Sequence, residues 1–395
     1  MGKSNNLTNA KAAKNDEFYT QYQDIQKEIE AYLEFDPDIF RNKTLLLPCD
    51  DPEWSNFTKF FAQNFERFGL KKLISTSFAP DSKILKSVYQ PTLFEVNNPQ
   101  FDQKKTITNG KIFTLSHDKS GDGKIDVDDL EWQYLNGDGD FRSKEIQKLR
   151  DESDIIITNP PFSLFREFLA WIIEANKKFV IIGNMNAIKY KEVFPIIRDK
   201  KMWLGAGKND GRNVWYEIPS DFSSFHKEED GKKYAFVAGT IWFTNIDHGR
   251  RHKPIPLMTE KDVIKFGTKK PFTKYDNFDA IEISFVKHIP SDYDGVMGVP
   301  ISFLSKHSPD QFEIIGLSMK DGFGLESHKK YDNYKEIRQD GTFTGSSGKK
   351  TNGNPMLEGK PTKGNYYIDE KGNCSYSLFD RLFIVSKNYK LDITK

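Results

Sequence analysis

Asn159, Pro160, Pro161 and Phe162 follow an apolar run, Ile155-Ile156-Ile157-Thr158, and their residue types suit one kind of chemistry. An exocyclic amine conjugated to an aromatic ring is a poor nucleophile, because its lone pair is delocalised into the ring. A pocket that offers only acceptors corrects this. The Asn159 side-chain oxygen and the Pro160 carbonyl can each take an N–H of such an amine, hold it still and favour a pyramidal nitrogen. Phe162 can then stack on the base that carries it. The two prolines stiffen the turn through their fixed φ values and remove competing N–H donors. The other reading of these residues is a stiff turn between a strand and a helix.

The flanking residues supply the elements that must position this loop. Ile155 to Ile157 form a β-branched run suited to a strand buried on both faces. Ser163 is placed to cap a helix in which Phe165, Phe168, Leu169, Ile172 and Ile173 recur at helical spacing. Lys178 to Ile182 reads as the next strand, with Gly183 and Asn184 at its end. This is a β-loop-α-β unit with the motif at the carboxyl end of a strand, where open α/β sheets build their sites.

Upstream, Thr20 can cap a helix from Tyr22 to Phe35 with Ile25, Ile29, Tyr32 and Leu33 on its apolar face. Leu45 to Leu47 is a short strand ending in Pro48-Cys49-Asp50-Asp51-Pro52. Phe57, Phe60, Phe61 and Phe65 then mark a helix face, and Leu73 to Thr76 a second strand. Asp50 and Asp51 either accept from hydroxyl or ammonium groups of a ligand or cap the helix that follows. In Gly137-Asp138-Gly139-Asp140-Phe141-Arg142-Ser143 the glycines permit close backbone approach and Asp140 can accept from an amine. A plain turn with Ser143 capping the next helix is the alternative.

The chain has 395 residues, which at about 150 per domain suggests two domains. Lys plus Arg number 58 and Asp plus Glu 57, so no global basic field exists and nucleic-acid affinity must come from local patches. The two cysteines, Cys49 and Cys374, lack metal-ligand spacing and suit a reducing, cytoplasmic setting. Residues Met1 to Asn15 carry no apolar signal segment, and no apolar run approaches the roughly 18 residues of a membrane span, so no membrane is expected. Beyond about residue 200 the texture changes to short strands and charged turns. The densest basic patch there is His248-Gly249-Arg250-Arg251-His252-Lys253-Pro254, whose Arg250, Arg251 and Lys253 either contact a nucleic acid or belong to a solvated loop, with Arg212, Lys269 and Lys270 as weaker backbone candidates. Asp321 to Gly364, rich in Gly, Lys, Ser and Thr, reads as a flexible insertion. Asp118 to Asp129 has calcium-loop spacing but ends in Asp and follows a strand, so an acidic surface turn is the preferred reading over a calcium site.

Taken together, several segments resemble the EcoRI-type adenine-specific DNA methyltransferases. They are Asp16-Glu17-Phe18-Tyr19-Thr20-Gln21-Tyr22, Cys49-Asp50-Asp51-Pro52, Gly137 to Ser143 and Thr158 to Glu167. Trp242 to His248, Lys274-Tyr275-Asp276-Asn277 and Asp294 to Ile301 continue the likeness. Asn-Pro-Pro-Phe alone also serves other amino-methyltransferases, but this ordered set is specific. The resemblance implies an α/β, Rossmann-like, S-adenosylmethionine-binding catalytic domain over residues 1–200. It also implies a mixed α+β target-recognition region over 201–395. By similarity Asp16, Phe18, Tyr19, Thr20, Cys49, Asp50 and Asp51 hold the cofactor, Asp140 lies beside it, and Asn159 to Phe162 are catalytic. Where the wider superfamily has a Gly-rich loop after the first strand, this chain has Pro-Cys-Asp-Asp-Pro. The implied reaction is methylation of N6 on a flipped-out adenine in a short duplex sequence, with no metal and no cysteine nucleophile. GAATTC is the default target by analogy. A cognate endonuclease would share that site without being bound. Methylation of RNA or of protein glutamine, and DNA binding without catalysis, are the competing readings.

Overall fold

The apolar runs form buried strands. The computed structural model describes residues 20–50, 55–79, 96, 99–207, 214–218, 226–267, 272–319 and 324–387. These fall into two compact units, Met1–Val193 with Met202–Gly249, and Phe194–Lys201 with Arg250–Lys395.

The first unit is built on strands β1 (Thr44–Pro48), β2 (Lys72–Thr76), β3 (Lys111–Leu115), β4 (Glu131–Tyr134), β5 (Ile155–Thr158) and β6 (Lys178–Asn184). The later strands are β7 (Trp203–Leu204), β8 (Val214–Ile218), β9 (Lys227–Glu229), β10 (Lys232–Val237) and β11 (Thr240–Thr244). Eight of them make one mixed sheet in the order β4-β3-β2-β1-β5-β6-β11-β7. Its centre, β2-β1-β5-β6, is parallel. The pairs beyond it on both sides are antiparallel. Every residue of β1 and β5 is buried, as expected for strands covered on both faces. Because β7 and β11 complete this sheet, the first unit continues past residue 200.

Among the described residues, the helices of eight residues or more in this unit are α1 (Tyr22–Phe35), α2 (Asn56–Gln63), α3 (Lys144–Glu152) and α4 (Phe165–Glu174). Phe57, Phe60, Phe61 and Phe68 pack with Ile25, Ile29, Leu45 and Leu47 in one core. Each such side chain contributes about 1.5–3 kcal/mol through burial. Ser55 caps α2 by accepting from Phe57 N–H, and Ser143 caps α3 by accepting from Ile146 N–H. Two expected caps are not formed. Gln21 stands at the start of α1 without a side-chain cap, leaving the Thr20 hydroxyl for another role. Ser163 falls inside a 3-10 turn, Phe162–Leu164, and α4 begins after it with Leu164 in the capping position.

Glu28 on α1 has no solvent exposure. Its carboxylate accepts from Ala206 N–H at 2.9 Å, from Gly207 N–H and from the Tyr32 hydroxyl at 2.5 Å. A Cβ at Gly205 or Gly207 would lie within 2.5 Å of that carboxylate, so glycine is required where the loop after β7 wraps it.

The second unit carries two sheets. Strands β12 (Ile281–Glu282), β13 (Met297–Pro300), β14 (Phe312–Leu317) and β20 (Arg381–Ser386) form one, in the order β12-β13-β20-β14. Strands β15 (Lys335–Ile337), β16 (Phe343–Ser347), β17 (Met356–Glu358), β18 (Tyr366–Ile368) and β19 (Cys374–Ser377) form the other, in the order β16-β15-β18-β19-β17. Most of the stretch read as a flexible insertion, 324–364, is therefore folded as strands and turns. Its few large residues explain this: Tyr331 and Met356 make a small core with Tyr367 just beyond the stretch, and Glu336 accepts from Lys350, Asn365 and Thr344.

His307 gives this unit a pH dependence. Its Nε2 lies 3.0 Å from the Phe312 carbonyl. Burial first, then the positive charges of Arg251, Lys200 and Lys387, lowers its pKa from 6.5 to about 4. The folded chain thus keeps His307 neutral while the unfolded chain takes up a proton below about 6.5. Its contribution is intact above pH 6.5 and is lost progressively as pH falls towards 4. Denaturant titrations by circular dichroism across that window are expected to show a stability loss that His307→Gln removes; an unchanged slope in the variant would refute the assignment.

Candidate active site

Two strands that start opposite excursions define the site. β1 pairs with both β2 and β5, all parallel. From β1 the chain crosses to β2 on one side, and from β5 it crosses to β6 on the other. The carboxyl ends of β1 and β5 are thus a topological switch point, which opens a crevice where α/β sheets bind ligands. Pro48-Cys49-Asp50 leaves one lip and Asn159-Pro160-Pro161-Phe162 the other.

The β1 lip is tight. Cys49 has φ +68°, the left-handed conformation that glycine normally supplies, so the turn is sharp although the sequence lacks a glycine there. Asp50 N–H donates to the Thr76 carbonyl at 2.9 Å. The Asp50 carboxylate is buried and accepts from the Ser55 hydroxyl at 2.8 Å and from the Thr158 hydroxyl at 2.5 Å. The Ser75 hydroxyl donates to the Asp50 carbonyl. Asp50 thereby joins β1, β2, α2 and β5 and does not cap α2 itself. Next to Ser55, Asn56 donates to the Thr20 carbonyl at 2.8 Å. The Thr20 hydroxyl, the Gln21 side-chain amide nitrogen and the Thr76 hydroxyl are buried and have no hydrogen-bond partner among the described residues.

On the β5 lip, Pro160 is buried while Asn159, Pro161 and Phe162 keep partial exposure. Phe162 packs on the core of the first unit and opens the 3-10 turn, which closes with Leu164 N–H on the Pro161 carbonyl at 3.0 Å. Phe165 then anchors α4 beneath Gly183 of β6: a Cβ there would lie 2.4 Å from the Phe165 ring.

The Gly137–Ser143 loop reaches the same end of the sheet. Gly139, at φ +85°, lies so close to the Ser77 carbonyl beyond β2 that a Cβ would meet it at 2.2 Å, and Ala79 N–H donates to the Asp138 carbonyl at 2.7 Å. The close approach that Gly139 permits is to this neighbouring strand end. Asp140 pairs with Arg142 at 2.6 Å, and Arg142 reaches Glu167 of α4 at 3.2 Å. The Arg142 guanidinium holds the Asp140 carboxyl below its usual range.

Asp16, Phe18, Tyr19 and Asp51 lie outside the described residues, as do Arg212, Lys269 and Lys270. The basic segment divides. His248 is buried in the first unit, its Nε2 2.9 Å from the Leu204 carbonyl and its ring edge-on to Tyr32. Arg250 and Arg251 sit in the 3-10 turn Gly249–His252, and Arg250 and Lys253 are exposed. In the acidic loop, Asp118 accepts from Gly121 and Gly123 N–H, and Asp129 from Lys119, Ser120 and Asp126 N–H. These backbone hydrogen bonds, that from Ser120 foremost, hold the Asp129 carboxyl at about 2. No group of three or more His, Cys, Asp or Glu able to hold a metal occurs among the described residues. No helix among them is long and apolar enough to cross a membrane.

A family profile described as the adenine-specific methyltransferase EcoRI matches residues 6–363. The chain belongs to that family. The Type II methyltransferase M.EcoRI of Escherichia coli is 42% identical over 314 residues, 78% of this chain and 88% of that protein. The Type II methyltransferase M.MpnI of Mycoplasma pneumoniae is 34% identical over 312 residues, 78% of this chain and 83% of that protein. No solved structure matches the chain. Membership in the EcoRI adenine-specific methyltransferases implies use of S-adenosylmethionine. The crevice suits such a group: the buried, unpartnered Thr20 and Thr76 hydroxyls and the Gln21 amide supply donors and acceptors to a polar ligand. The linking roles of Thr158 and Glu28 were not legible in the sequence, because their partners lie 108 and 178 positions away and only the fold brings them together.

Proposed function

We propose that this adenine-specific DNA methyltransferase of restriction-modification type methylates N6 of an adenine flipped out of a short duplex sequence. The first unit acts as a Rossmann-like methyltransferase domain and the second as the target-recognition region. The observation that supports this most is the pairing of β1 beside β5 at the switch point, with the Asp50 turn on one lip and Asn159 to Phe162 on the other. S-adenosylmethionine supplies a sulfonium-activated methyl group. Thr20, Gln21, Cys49, Asp50 and Thr76 form the cofactor side, with Asp16, Phe18, Tyr19 and Asp51 joining them from the flanking segments and Asp140 at the edge. Asn159 and the Pro160 carbonyl accept the two N–H groups of the target amine, Pro161 stiffens the loop, and Phe162 stacks on the extruded base. Base extrusion costs a few kcal/mol, which stacking and the acceptor pair offset. Arg250, Arg251 and Lys253 contact duplex DNA.

The test is methylation-aware sequencing of plasmid DNA from a methylation-free host expressing the protein. N6-methyladenine at one short motif supports the reading and identifies the target. Unmodified DNA, with the protein folded and binding S-adenosylmethionine, would transfer the assignment to an RNA or protein amine.

A further inference from the structure

We propose that Thr158 is a positioning residue for the target-amine loop, and that its hydrogen bond to Asp50 couples the cofactor side of the crevice to Asn159; this rests on the functional reading above. Thr158 has no solvent exposure. Its hydroxyl lies 2.5 Å from the Pro48 carbonyl and 2.5 Å from the second oxygen of the Asp50 carboxylate. The residue after it is Asn159.

The strand register explains why a side chain is needed at this point. The β1–β5 pairing runs Leu45 to Ile155 and Leu46 to Ile156, and stops there. On the far side, β5 stays paired with β6 through Thr158 and Ile181. The two lips of the crevice therefore separate two residues before Asn159 on one side only, and the Thr158 hydroxyl bridges them where the backbone ladder has ended. Asp50 is itself held on three sides, by Thr76 through its N–H, by Ser75 through its carbonyl and by Ser55 through its carboxylate. Asn56, adjacent to Ser55, fixes the Thr20 carbonyl. Two stretches of hydrogen bonds, joined through the Ser55–Asn56 peptide link, thus run from the start of α1 to the residue before Asn159. Ordering the cofactor side restrains Asp50, and Asp50 restrains the loop that receives the amine.

Thr158→Val keeps shape and burial but removes the donor, whereas Thr158→Ser keeps the donor. With an oligoduplex carrying the target site, Thr158→Val is expected to lower kcat by about 10- to 100-fold, since misplacement of a reacting group by an ångström costs on that order. Its dissociation constant for S-adenosylhomocysteine should stay within about threefold of wild type. In the wild type, saturating S-adenosylhomocysteine should tighten duplex binding; in Thr158→Val that factor should fall towards one, because the coupling runs through the lost bond. Thr158→Ser should restore both kcat and coupling. Wild-type kcat in Thr158→Val, loss of cofactor affinity as large as the loss of kcat, or failure of serine to rescue would each overturn the proposal. Should the valine variant not fold, Thr158→Cys, with a weaker S–H donor of similar size, carries the test: reduced kcat with retained cofactor binding is expected, and wild-type kcat overturns it. An inactive wild type would refute the functional reading itself, whereas an active wild type with an equally active Thr158→Val refutes only the coupling.

Discussion

Asn159→Ala is expected to lower the single-turnover rate of methyl transfer by about 10²- to 10³-fold, the usual cost of removing one preorganised group that stabilises developing charge. Affinity for S-adenosylmethionine should stay within about threefold of wild type. The separation follows from the two lips of the crevice. Asn159 belongs to the β5 lip, while the buried, unpartnered groups that suit the cofactor, Thr20, Gln21 and Thr76, stand at the starts of α1 and at the end of β2. The alanine leaves Pro160, Phe162 and the 3-10 turn in place, so the loop should keep its shape. Rapid-quench methyl transfer measures the rate, and calorimetric titration with S-adenosylmethionine measures binding. Loss of cofactor binding in the variant would remove Asn159 from the amine pocket and assign it to the cofactor side.

Much of this arrangement was legible locally. The run Ile155 to Thr158 is β-branched and apolar, and it became a fully buried strand; the spacing of Ile25, Ile29 and Tyr32 gave the helix Tyr22–Phe35 with those bounds. Residues that cap or turn were less legible, because several side chains compete for the same N–H. Ser55, and not Asp50, caps α2, which frees Asp50 to receive Thr158. Thr20 and Ser163 have the residue types of caps, yet the chain starts each helix one or two positions later. The second unit shows a further limit. Tyr275, Asp276 and Asn277 carried part of the family resemblance without a role, and they prove to be structural centres: Asp276 accepts from Lys329, Tyr331 and Ser375, while Asn277 accepts from Met356 N–H and donates to Ser327. Partners 50 to 99 residues away cannot be seen in a local pattern. The polar stretch 324–364 misled for the same reason, since its strands are held by a few buried anchors and not by a periodic apolar face.

Arg381→Met is expected to destabilise the second unit by about 3–5 kcal/mol, the cost of removing one partner from a buried ion pair. The Arg381 and Glu282 side chains are only 11% and 6% exposed. Arg381 Nη2 donates to Glu282 Oε1 at 2.8 Å, its Nε to Oε2 at 3.0 Å, and its Nη1 to the Phe379 carbonyl at 2.9 Å. The Tyr275 hydroxyl donates to the same carboxylate, and burial followed by this carboxylate pushes the Tyr275 pKa well up. With methionine at 381, Glu282 keeps Tyr275 and Ser284 as donors but loses its counter-charge, which reaches it from β20 across the intervening β13. Replacing the whole pair, as Glu282→Leu with Arg381→Met, should recover more than half of the loss, because no charge is then stranded. The six tryptophans make the measurement specific. Trp132, Trp171, Trp203 and Trp242, four of the six, belong to the first unit, so their fluorescence follows that unit while far-ultraviolet circular dichroism follows both. In urea, Arg381→Met should bring forward a transition seen by dichroism and leave the tryptophan transition nearly in place. If both signals move together, the two units unfold as one and the ion pair stabilises the whole chain.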